Sequence, residues 1–83
     1  MKITKQINHD SLWVKIQDQK TKSWGKILVN RSGIKGTIKC NEDEKSSFNT
    51  IVKQMFDHMK NENGSNGEKL ESLYLLLQKK YSN

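Results

Sequence analysis

At about residue 40 the spacing of apolar residues changes from every second position to a helical repeat. Before it, Leu12, Val14 and Ile16 alternate with Trp13, Lys15 and Gln17, the pattern of a half-buried strand. Ile27 and Val29 alternate with Lys26 and Leu28, and Ile34, Gly36, Ile38 and Cys40 alternate with Lys35, Thr37 and Lys39. Ile3 and Ile7, set among Lys2, Thr4 and Gln6, make a weaker first strand, and residues 8–11 read as a turn. After the change, Phe48, Ile51, Val52, Met55, Phe56 and Met59 form one unbroken helical stripe. A polar breaker with two glycines follows over residues 61–67, then a second stripe of Leu70, Leu73, Tyr74, Leu77 and Tyr81. This order predicts an α+β fold, a four-stranded antiparallel sheet followed by two C-terminal helices packed on one face. It reads as a single domain over 1–83, with a β-rich basic half (1–40) and a helical half (41–83).

Local signals refine the boundaries. Asn41 with Glu44, and Ser65 with Glu68, have the spacing of helix capping pairs. Ser32-Gly33 suits a two-residue hairpin turn. Gly36, inside a strand pattern, marks a place where a large helix side chain such as Phe56 can pack directly on the backbone. Cys40 continues the inward face and is expected as a small core residue.

Charge divides at the same point as period. Residues 1–40 hold nine basic side chains against two acids, a net of +7, whereas residues 41–83 hold six against seven, a net of −1. An excess of one sign confined to one half points to an anionic partner. Fourteen of the fifteen basic residues are lysine, a bias that composition alone can produce, but composition does not concentrate the excess in the strands.

Building the core leaves one sheet face over. Helices covering Leu12, Val14, Ile16, Ile27, Val29, Ile34, Ile38 and Cys40 would leave Trp13, Lys15, Trp24, Lys26, Lys35 and Lys39 outward, with Gln17, Leu28 and Thr37. With turns centred at Lys20-Thr21 and Ser32-Gly33, Lys15, Lys26 and Lys39 would share one row, and Trp13, Leu28 and Thr37 the next. Like charges opposed across strands are unfavourable, so such a row reads better as a platform for phosphates with aromatic surfaces for bases. Against this stands the plain reading in which a tryptophan fills the core or an interface and the lysines are solvated or protect an edge. The single arginine, Arg31, argues against base reading in a groove, which mostly uses Arg.

Other functional classes find little footing. The chain has one cysteine and two unaccompanied histidines, His9 and His58, so neither a disulfide framework nor a metal site is expected. No glycine-rich phosphate loop or paired-carboxylate arrangement is present, so neither a cofactor nor an enzymatic activity is expected. No apolar run approaches the ~18–20 residues of a membrane span, and residues 1–6 do not open a secretory signal. A cytoplasmic protein is expected. Leu75 and Leu76 broaden the apolar surface of the second helix beyond one stripe, which predicts an oligomer or partner interface there, a homodimer being the commonest form.

The order of four antiparallel strands and a long amphipathic helix is similar to that of small single-strand DNA-binding domains of the transcriptional-coactivator and whirly type. The likeness runs from Lys35-Gly36-Thr37-Ile38 through Met59, about a third of the chain, and the second helix departs from it. The residues and this likeness favour a non-enzymatic protein that contacts nucleic acid, as a single strand or by shape and backbone, through a basic, Trp-bearing sheet face. The alternative is a small inhibitor or adaptor, of the kind phages and mobile elements encode, that binds an acidic surface on another protein.

Overall fold

The computed structural model describes residues 1–81. Four strands, β1 (Lys2–Ile7), β2 (Leu12–Gln17), β3 (Trp24–Asn30) and β4 (Gly33–Lys39), form an antiparallel sheet in the order β1-β2-β3-β4. A single 3-10 turn (Glu42–Glu44) leads into α1 (Lys45–Asn61), and a short break precedes α2 (Asn66–Tyr81). This is the expected α+β architecture, with both helices on one face. α1 lies over β3 and β4, and α2 over β1 and β2. Among the described residues, no helix is long and apolar enough to cross a membrane.

The core forms where the two periods meet. Val14, Ile16, Ile27 and Val29 pack with Ile51, Val52, Met55 and Met59 of α1 and with Leu70, Leu73 and Leu77 of α2, and Phe48 is buried beside Gly25. All are buried, each such side chain contributing about 1.5–3 kcal/mol of transfer free energy. α1 approaches closely because two strand positions lack side chains. A Cβ on Gly36 would stand 2.6 Å from Phe56 Cε2, and one on Gly25 2.8 Å from Val52 Cγ2. The expected seating of Phe56 over Gly36 is therefore present, and Gly25 adds a second contact of the same kind.

Three expectations for the end of the sheet are corrected. The β3–β4 turn is Arg31-Ser32, flanked by paired Asn30 and Gly33, and not Ser32-Gly33. Asn30 Oδ1 accepts the Ser32 N–H at 2.8 Å, and Gly33 takes φ +124, a conformation strained for any other residue. β4 thus slides by two residues, which preserves which side chains face outward but changes their partners. The covered face also stops short of β4. Ile34 is 37% exposed and Cys40 is half-buried, because α1 covers β4 only around Gly36 and Ile38.

The capping signals divide. Ser65 and Glu68 form a reciprocal box, with Ser65 N–H donating to Glu68 Oε1 (3.1 Å) and Glu68 N–H to Ser65 Oγ (3.2 Å). Asn41 and Glu44 make no side-chain cap, although Glu44 stands at the N-cap position before Lys45. The Glu44 carboxylate instead accepts from Ser23 Oγ (2.7 Å), Thr21 Oγ1 (3.0 Å) and Asn41 Nδ2 (3.3 Å). A local pair is displaced here by donors of the β2–β3 loop that the tertiary fold brings within reach.

Candidate nucleic-acid interface

Among the described residues, the strand positions on the sheet face away from the helices carry no acid. Strand register places three rows across it: Thr4, Lys15, Lys26 and Thr37; Gln6, Trp13, Leu28 and Lys35; and Lys2, Gln17, Trp24 and Lys39. All six residues expected to form a site (Trp13, Lys15, Trp24, Lys26, Lys35 and Lys39) lie on it. The two-residue slide corrects their neighbours. Thr37, not Lys39, stands beside Lys26, Lys35 completes the Trp13 row, and Lys39 flanks Trp24.

The tryptophans are half-buried on this open face, and neither belongs to the core. Trp13 Nε1–H donates to Gln6 Oε1 at 3.2 Å, so its polar edge is held by β1. Lys26 Nζ lies 4.7 Å from the Trp13 ring centroid, and Lys15 Nζ 5.4 Å from that of Trp24. Each lysine of the directly opposed Lys15–Lys26 pair therefore leans away from the other, onto an indole one row distant. The one ion pair among the described residues, Lys5 with Glu71, is on the helical side, where Lys5 also lies over the Tyr74 ring at 4.5 Å. Among the described residues, none of the five lysines on the open face has a carboxylate partner.

Lys2 and Gln6 belong to this surface and were not among the expected site residues. The alternation of β1 carries the signal for both, although it is obscured by Lys5 at an inward position. At the Trp24 end the face runs into a shallow depression of about 390 Å³ lined by Gln17, Lys22, Trp24, Lys39, Cys40 and Asn41, with Thr21 and Ser23. No sequence pattern marks it, since its walls come from three separate segments. On the opposite side of the molecule, Leu75 and Leu76 are 59% and 44% exposed on the outer surface of α2. Among the described residues no three His, Cys, Asp or Glu side chains gather as a metal site would require. His58 Nε2 is 3.1 Å from Ser72 Oγ, a tie between the helices.

No protein-family model matches the chain, and no curated protein and no solved structure matches it. The likeness to coactivator-type domains accordingly stays at the order of elements, and α2 falls outside it.

Proposed function

We propose that the protein is a binding module that contacts nucleic acid through the open sheet face, using lysines for phosphates and tryptophans for bases. The observation that supports this most is the composition of that face: Lys2, Lys15, Lys26, Lys35 and Lys39 surround two half-exposed tryptophans with no acid among them. An ordinary solvated face gains nothing from opposed, unpaired lysines. A polyanion converts the same arrangement into binding energy through counterion release. Recognition is of backbone and exposed bases, not of a base sequence.

Binding is tested by following tryptophan emission as oligonucleotides are added at ~50 mM salt, where phosphate contacts are strong. Quenching with micromolar or tighter affinity is expected, and Lys26→Glu should weaken all sequences equally. Absence of binding refutes the reading, and capture of an acidic protein without oligonucleotide binding would favour the adaptor alternative. The same reading includes self-association through Leu75 and Leu76, which would set two basic faces in one particle. A Leu75→Glu protein should then elute as the monomer on a sizing column while the unaltered chain elutes as a dimer; identical elution of the two removes this element.

A further inference from the structure

The depression at the Trp24 end of the sheet is continuous with the open face yet differs from it in kind. Its lining includes two cationic residues, Lys22 and Lys39, together with Trp24 and the amide-bearing Gln17 and Asn41. The Gln17 Nε2 group donates to the Lys22 carbonyl (3.2 Å) and the Asn41 Nδ2 group to Glu44 (3.3 Å). Among the described residues this leaves both side-chain carbonyls free to accept. Glu44 draws the lining together, since its three donors, Thr21, Ser23 and Asn41, come from the β2–β3 loop and the segment before α1. Its carboxylate accepts those three bonds from neutral groups, keeps its charge, and lies behind the lining and not in it.

Lys22 is the one non-glycine among the described residues with positive φ, at 68°. Glycine would hold that conformation without strain, so a lysine there keeps a cationic residue in the lining at a conformational cost. Strain of this kind gathers at binding sites.

We propose that this depression holds one unpaired nucleotide of a single strand, the base against Trp24 with its edge toward Gln17 and Asn41, and the phosphate between Lys22 and Lys39. The inference rests on the nucleic-acid reading of the face and narrows it to single strands. A base within a duplex is paired and stacked between its neighbours, and enters a recess only by being flipped out. A strand already unpaired enters freely, then crosses the Lys15–Lys26 row toward Trp13. That path spans four residues along the strands, about 14 Å, so the two indoles serve bases that are not adjacent in a stack.

Cys40 lines the depression and reports on it directly. Alkylation of Cys40 by a small maleimide, with and without saturating oligothymidylate, should be slowed severalfold by the single strand and not by a duplex of equal length. Lys22→Gly supplies the second arm. It should raise the melting temperature while weakening oligothymidylate binding about eightfold at ~50 mM salt, the value of one single-strand phosphate contact. If tryptophan quenching reports binding but Cys40 reacts at an unchanged rate, or Lys22→Gly keeps full affinity, the depression is not the site and the face reading stands. Equal protection by duplex overturns the single-strand assignment. No quenching by either ligand overturns the underlying reading as well.

Discussion

One methyl group added to Gly36 should separate the architecture of the sheet from the chemistry of its open face. In Gly36→Ala the new Cβ would lie 2.6 Å from Phe56 Cε2, 3.1 Å from Phe56 Cζ and 3.0 Å from Val52 Cγ1. Val52 is buried, branched at Cβ and fixed in its rotamer, so it cannot yield alone. Phe56 is only half-buried and can swing outward, losing its cover of β4. Either response forfeits packing, and overpacking of this kind costs about 1–3 kcal/mol. In a domain of this size each kcal/mol lowers the melting temperature by roughly 4–8 °C. Circular dichroism melts would read the loss, and Phe56→Leu in the Gly36→Ala background should recover part of it through coupling of two contacting sites. Because Gly36 faces the helices, while Lys35 and Thr37 face outward, the affinity of the folded fraction for oligonucleotide should not change. An unaltered melting temperature would refute the close approach of α1, and a large affinity loss in fully folded protein would refute the separation of the two faces.

Two further outcomes follow from the local geometry. The Ser65 backbone N–H and hydroxyl hold the Glu68 carboxyl below its ordinary value near 4.5, and backbone N–H groups of Thr21 and Lys20 do the same for Asp18, whose ordinary value is near 3.8. Groups lowered in this way stabilise the fold fully above those ordinary values and lose the contribution as pH falls through the lowered ones. Glu68→Gln and Asp18→Asn should therefore melt earlier than the unaltered chain at pH 7, with the difference closing in strongly acidic buffer; a difference that persists there contradicts the assignment. Lys5→Met should change stability by less than about 1 kcal/mol in denaturant titrations, since the Lys5–Glu71 pair is exposed and the methionine stem keeps the cover over Tyr74. A larger loss would mean that the ion pair matters more than the packing.

The face was legible from the sequence because parity is a robust property of a strand. Sliding β4 by two residues altered every cross-strand partner of Lys35, Thr37 and Lys39 but moved none of them to the helical side. The exact turn was not legible, since Asn30 and Ser32 compete as turn residues and the bond from Ser32 N–H to Asn30 Oδ1 decides between them. Exposure of Ile34 and Cys40 depends on how far α1 extends over β4, which alternation does not encode. The depression was the least visible feature. It depends on Glu44 meeting Thr21 and Ser23, more than twenty positions away, where local spacing indicated only a helix cap. Contacts of that range are settled by tertiary packing.

The energies at the open face indicate how it would change when a strand arrives. In the free protein Lys15 and Lys26 are directly opposed, and each turns its ammonium onto the indole of the other's strand. Such exposed cation–π contacts are worth about 0.5–1 kcal/mol each, whereas a base stacked on an aromatic side chain is worth about 1–3 kcal/mol. A base can therefore displace the lysine from the ring, and the displaced ammonium is left where the adjoining phosphate needs a cation. The exchange gives salt two opposite effects. Screening the unpaired lysines should raise the melting temperature of the free protein between ~10 and ~100 mM salt, a range over which the Debye length falls from about 30 to about 10 Å. Over the same range affinity for a single strand should fall, by up to about 3.5 decades per decade of salt if all five lysines meet phosphates, at about 0.7 per contact. Differential scanning fluorimetry and fluorescence titration on one preparation measure both. A melting temperature that falls with salt would show that the lysines are not in mutual repulsion, and the physical reason for giving them a polyanion would be gone.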